Sequence, residues 1–360
     1  MLMIVIAIDS FKGCLSSREA NAAALSAVDE GVAVPVADGG EGTAAALCTA
    51  LGGEMVECPA RDPLGRRIVA EYARCGDLAV VDVAAAIGLP LLSEDERNPL
   101  ETTTEGVGDM VLHAARHGAR RIMVALGGSS TNDCATGMLS VLGFTFRDHA
   151  GQPLRGCGAN LEKIESITGA LLPELQGVEL VALYDVDSPA YGPRGAAEVF
   201  GPQKGASADD VARLDRGVRH LADVAGADAF VRPGAGAAGA MGGGLSAIAG
   251  VRLLPGAETV LETVGFDSLL DGADLVITGE GSIDAQTLMG KTPAAVLAHA
   301  RSRGIPVVAL AGRVSDRERL LEAGFRGVIC INPPSLDPAT AMRPDVAAQN
   351  IAASLRGFLV

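Results

Sequence analysis

Lysine is scarce in this 360-residue chain, and where it occurs it mostly stands against glycine. Of the 29 basic residues four are lysine (Lys12, Lys163, Lys204 and Lys291), and arginine supplies the rest. Three of the four lie in FKG, QKG and GKT, whereas Lys163, in LEKIES, reads as a solvated helix residue. Glycine lets backbone N–H groups approach an anion, and an ammonium adds a compact charge beside them. That pairing is a common way to hold phosphate. In GKTP, Thr292 is expected to cap a helix with Pro293 at its first position, setting Lys291 beside a helix N-terminus and its dipole. The motif is not a Walker A loop, because Ala285 stands where that pattern needs its first glycine.

Phosphoryl transfer also requires a divalent cation and a group that orients or deprotonates the attacking hydroxyl. Carboxylates at the ends of apolar runs supply candidates: Asp9, Asp38, Glu41, Asp133, Asp185, Asp187, Glu280 and Asp284. They cluster in ADGGEG, GGSSTND and TGEGSID, among small and hydroxyl residues that suit a polar cleft. GGSSTND (Gly127 to Asp133) follows the apolar run RIMVAL and can hold phosphate, sugar hydroxyls or a carboxylate.

Two further patterns do not carry chemistry. GAGAAG (Gly234 to Gly239) matches a dinucleotide fingerprint but follows Pro233 and not a strand, so its glycines read as a tight loop or a close helix contact. His113 and His117 have the spacing of a zinc pair, yet lack the intervening Glu and fall near a polar helix end.

The elements that must position these groups follow from periodicity. Apolar runs MIVIAID, LAVVDVA, RIMVAL, ELVALYDV, DLVITGEG, PVVALAG and GVICI read as strands. Helices are expected near 16–30, 104–117, 207–224, 293–303, 315–323 and 345–356, the first opened by a Ser16/Glu19 capping box. Such alternation means α/β architecture with largely parallel sheets, whose ligands bind at the carboxyl ends of strands. The length suits two domains. The net charge of −15 and the lack of a basic stripe speak against a nucleic-acid partner. The N-terminal run reads as a strand and not a leader, and no stretch approaches the ~20 apolar residues of a membrane span. Seven scattered cysteines without a CxxC pair read as reduced thiols, so the expected location is cytoplasmic.

Taken in order, DSFKG, PVADGGEGT, DPLGR, NPLETTTEGVG, GGSSTND, VFGPQKGA, PGAGAAG and VITGEGSIDAQTLMGKTP resemble the bacterial glycerate kinases of type I over nearly the whole chain. Four positions depart from that family's usual pattern. Cys14 replaces Ser, Cys134 replaces Gly, Ser282 replaces Arg, and DVDSP (Asp185 to Pro189) replaces DVxNP. The resemblance implies ATP- and Mg2+-dependent phosphorylation of D-glycerate to 2-phosphoglycerate. It also implies two α/β domains: a discontinuous Rossmann-like domain (1-62 plus 288-360) and an inserted one (63-287), with the active site in the cleft between them. A homodimer is left open. On this footing Lys12, Lys204 and Lys291 are assigned to phosphates and developing charge, with Gly205, Gly279, Gly281 and Thr292 beside them. Asp185 is assigned as base, Glu280 and Asp284 as the metal-side carboxylates. Ser129, Thr131, Asn132 and Asp133 are assigned to the acceptor or a phosphate oxygen. The alternatives are a kinase for another small hydroxy-acid or sugar acid, and a non-catalytic sensor that binds a sugar acid or a nucleotide.

Overall fold

A computed structural model describes residues 2–226 and 228–359. Its contacts divide the chain into two units, Met1–Asp38, Ala45–Gly52 and Gly256–Val360 forming one, Gly39–Ala44 and Gly53–Pro255 the other. The boundaries expected at 62/63 and 287/288 therefore move, and hydrogen bonding gives the reason. Strand Leu275–Ile283 pairs in parallel with Ile4–Ile8, Ile4 opposite Leu275, and so belongs with the termini. Strand Glu54–Arg61 pairs antiparallel with Arg67–Cys75 and so belongs with the insertion.

The terminal unit holds a five-stranded, all-parallel sheet in the order Gly327–Cys330, Val307–Val314, Leu275–Ile283, Ile4–Ile8, Gly31–Ala33. IVIAI is buried on both faces, as a strand covered by helices must be. Helix Ser17–Leu25 starts at the expected capping box: Ser16 Oγ accepts from the Glu19 N–H and Glu19 accepts from the Ser16 N–H. Its Ala20 and Ala24 pack with Ile351 and Leu355 of helix Pro344–Leu359 over Ile4, Ile6 and Ile8. Small side chains allow that close approach of helix to sheet.

The inserted unit is built on six strands in the order Arg252–Pro255, Glu179–Tyr184, Arg121–Ala125, Leu78–Asp82, Arg67–Cys75, Glu54–Arg61. The first four are parallel and the last two antiparallel. Helix Glu105–Arg116 buries Val107, Met110, Val111 and Ala114 against this sheet, an i, i+3, i+4, i+7 stripe. Helix Ala208–Ala225 begins at a Ser207 capping box. Of the segment read as a tight loop or a close helix contact, 234–236 form a turn and 237–239 open helix Ala237–Ala249, which is interrupted at Ala238, Gly239 and Ala240 by three consecutive left-handed residues. No helix among the described residues is long and apolar enough to cross a membrane.

Candidate active site

In the terminal unit the polar groups collect at the carboxyl end of the parallel sheet. Asp9 follows Ile4–Ile8 directly, and its backbone N–H donates to the Gly279 carbonyl at 2.9 Å. Its carboxylate accepts from the Ser10 N–H at 2.6 Å and from the Thr292 hydroxyl at 2.7 Å. Burial, then the charge of Asp38, push the Asp9 carboxyl up to about 8, with the Thr292 bond opposing them. Glu280 is likewise raised, chiefly by burial, with Lys291 and Thr287 acting the other way and Asp38 and Asp284 adding to it. Lys291 Nζ stands 3.9 Å from Glu280 Oε2. Thr287, wholly buried, donates its hydroxyl to Glu280 Oε1 at 2.7 Å and accepts the Asp284 N–H at 3.2 Å. Asp284 in turn caps the short turn Ala285–Leu288 by accepting from the Gln286 N–H.

Helix Thr292–Ser302 opens one residue earlier than expected: Lys291 occupies the cap position, Thr292 the first and Pro293 the second. The Thr292 hydroxyl is spent on Asp9 and not on capping. The strand read in DLVITGEG runs on through Ser282 and Ile283, Ser282 lying opposite Arg313. Gly279 is required by sheet packing, because a Cβ there would stand 2.2 Å from the Leu310 carbonyl oxygen. Gly281 packs beside the Phe11–Lys12 backbone, its own Cβ position 3.5 Å from the Lys12 nitrogen.

In the inserted unit, Arg121–Ala125 and Glu179–Tyr184 are paired neighbours, so the loops leaving them, GGSSTND and DVDSP, start at the same sheet end. Asp185 follows Tyr184 there, half-buried. Ser130 is anchored by two bonds of 2.8 Å to the Ile87 carbonyl, one from its N–H and one from its hydroxyl. Asp133, fully buried, is saturated by this chain. Its carboxylate accepts from the Thr104 N–H and hydroxyl (3.0 and 2.9 Å), the Gly137 N–H (3.1 Å) and the Ala135 N–H (3.2 Å). Burial pushes it up to about 6 against those bonds. The structure thus gives Asp133 the work of folding the loop, where it was expected to face a ligand.

Lys204 is 3% exposed, and its ammonium donates to Ser129 Oγ at 2.9 Å and to the Thr131 carbonyl at 2.6 Å. Next to these, Thr131 Oγ1 and both amide atoms of Asn132 are buried and lack a hydrogen-bond partner. Buried polar atoms left so are uncommon in folded proteins and mark a place for a polar ligand or water. Gly205, at φ +94°, lies so close to the Arg97 carbonyl that a Cβ would stand 2.2 Å from it, so its lack of a side chain is a packing need.

The expected site residues therefore fall into two groups. Lys12, Gly279, Glu280, Gly281, Asp284, Lys291 and Thr292 lie in the terminal unit, and Ser129, Thr131, Asn132, Asp133, Asp185, Lys204 and Gly205 in the inserted one. Among the described residues no three His, Cys, Asp or Glu side chains form a metal cage. Sequence reasoning named Asp9 among the strand-end carboxylates but assigned it no specific role. It also missed Asp82, which ends strand Leu78–Asp82 and accepts from the Gly42 and Ala44 N–H groups at 2.8 and 3.0 Å.

The sequence profile of the Glycerate kinase family matches residues 4–358. The chain is 41% identical to a glycerate kinase of Bacillus subtilis (strain 168), over 99% of this chain and 98% of that protein. It is 38% identical to glycerate 2-kinase of Escherichia coli (strain K12), over 88% and 86%. Among solved structures it is similar to one named for glycerate kinase 2 from Salmonella typhimurium LT2, with a TM-score of 0.85 and 36% identity over 99% of this chain and 97% of that one.

Proposed function

The chain belongs to the glycerate kinase family, and from that membership we propose that it phosphorylates D-glycerate at the 2-hydroxyl with ATP as donor. It is a kinase acting on glycerate. The observation that carries the choice of the 2-hydroxyl is the likeness, over most of both chains, to a glycerate 2-kinase.

Little covalent work falls to the protein in phosphoryl transfer, so positioning and charge dominate. Lys12 and Lys291 are assigned to the phosphates, Lys291 from the cap position of a helix whose start is tied to the sheet by the Thr292–Asp9 bond. Asp185 is assigned as the group that takes the proton of the attacking hydroxyl, from the same sheet end as GGSSTND. Ser129, Thr131 and Asn132 are assigned to the acceptor, on the strength of their unpartnered buried atoms. Glu280 and Asp284 are the residues that would hold magnesium, which would supply charge neutralisation at the phosphates. The donor set fits such a hard cation: its atoms are carboxylate oxygens, and Glu280, lifted chiefly by burial and further by Asp38 and Asp284, stands where a divalent charge would favour the ionised form. All seven cysteines are unbridged, which supports a cytoplasmic location.

Phosphorus NMR of the product from ATP and D-glycerate tests the assignment. The expected new resonance is that of 2-phosphoglycerate. A 3-phosphoglycerate signal overturns the position, and faster ADP release with tartronate or a sugar acid overturns the acceptor while leaving the reaction class in place.

A further inference from the structure

Lys204 occupies surroundings that do not balance its charge. The oxygens its ammonium touches, Ser129 Oγ and the Thr131 carbonyl, are neutral. Asp133 acts on it through space, but the oxygens of Asp133 are already bonded to Thr104, Ala135 and Gly137. A buried ammonium in that position is costly until an anion joins it. Beside it the Asn132 amide presents a buried donor and a buried acceptor, and Thr131 a buried hydroxyl, all three unpartnered. One positive charge among neutral polar atoms matches a monoanion that carries hydroxyl groups. A polyphosphate calls for a higher density of cations.

We propose that Lys204 binds the carboxylate of the acceptor hydroxy-acid, with Asn132 and Thr131 completing the subsite. The inference rests on the kinase reading above and moves Lys204 from the phosphates to the acceptor. It has a thermodynamic signature. Burial holds the Lys204 amine down at about 7, with Asp133 opposing that shift. An adjacent carboxylate favours the charged form, so binding above neutral pH draws a proton from solvent. The other charged group acting on Lys204 does not imitate this: Asp133 titrates at about 6, below the window.

Titration calorimetry of D-glycerate into the whole protein, in Tris and in HEPES at pH 8, reads the uptake directly. About 0.9 proton per glycerate is expected there, falling towards zero at pH 6, with Kd rising up to about tenfold per pH unit above 7. Binding without proton uptake and with a flat Kd overturns the proposal. Should glycerate alone give no heat, KM for glycerate during turnover is followed instead, and a KM unchanged from pH 6.5 to 9 overturns it equally. Lys204→Met is expected to weaken glycerate by about tenfold to a hundredfold while leaving KM for ATP within about threefold. The converse, weakened ATP with unchanged glycerate, assigns Lys204 to the phosphates and overturns the subsite without touching the kinase reading. Proton-linked glycerate binding with no phosphorylated product sinks the kinase reading instead.

Discussion

At the scale of single residues, the terminal unit keeps groups in states that folding alone would not choose. Asp9 is the clearest case, since its carboxyl is lifted to about 8 by burial and by Asp38. The sign of the consequence follows from linkage. The unfolded chain ionises this group near ~4 while the folded chain keeps it protonated, so stability is lost as pH rises from about 4 to about 8. Asp9→Asn removes the titration at the expense of one acceptor for Ser10 or Thr292. The variant is expected to gain on the wild type by roughly 1–3 kcal/mol at pH 8 and to lose that advantage by pH 4. Thermal melts across this range check it, and a difference that does not change with pH removes Asp9 from the ledger. Lys291 makes the opposite kind of contribution. Its ammonium is 3.9 Å from Glu280 and half-exposed, too loose a pair to matter greatly for folding. Lys291→Met is therefore expected to leave the melting curve nearly unchanged and to lower kcat by roughly 100-fold to 1000-fold. A variant within threefold of wild type takes this lysine out of the mechanism.

At the scale of elements, the left-handed turn inside helix Ala237–Ala249 is what the sequence concealed. GAGAAG read as a tight loop or a close helix contact, and the contact it makes is with the acceptor loop. The Gly239 carbonyl accepts the Cys134 N–H at 3.2 Å, and a Cβ on Gly239 would stand 2.0 Å from the Thr131 carbonyl oxygen. The same helix meets Cys134 again at Gly244, where a Cβ would stand 1.8 Å from the Cys134 carbonyl oxygen. Cys134 itself has φ +53°, which accounts for the glycine usual at that place in the family. Gly239→Ala is thus expected to push Thr131 and Asn132 out of position, raising KM for glycerate more than tenfold and leaving KM for ATP alone. Equal losses for both substrates would mean general unfolding and not displacement of one loop. What was legible beforehand was whatever periodicity or local chemistry determines: the buried strands, the capping box at Ser16, and the polar loop after RIMVAL. The hairpin of Glu54–Arg61 and Arg67–Cys75 was not, because one face is exposed and Pro59 interrupts the pattern, leaving no apolar run to detect. Nor could the sequence separate Asp133 from Asn132. A carboxylate and an amide in one Gly/Ser/Thr loop read alike whether they face a ligand or the backbone of their own chain, and here Asp133 does the second.

At the scale of the whole molecule, the chain passes between its two units four times, at 38/39, 44/45, 52/53 and 255/256. Each unit nevertheless has its own sheet and its own core, and each carries a chemically different set of groups. Carboxylates with Lys12 and Lys291 belong to the terminal unit, which suits a polyphosphate with its cation. One buried ammonium among neutral polar atoms, with Asp133 and Asp185 near them in sequence, belongs to the inserted unit, which suits a hydroxy-acid. Local opening is governed by the contacts within a unit, so each ligand should slow amide exchange chiefly where it binds. D-Glycerate alone is expected to protect 129–137 and 204–206, and ATP with magnesium alone to protect 9–13 and 280–292. Hydrogen exchange read by mass spectrometry distinguishes the two patterns segment by segment. The inverse result, glycerate protecting 9–13 and 280–292, would exchange donor and acceptor between the units and with them every role proposed for Lys12, Lys204 and Lys291.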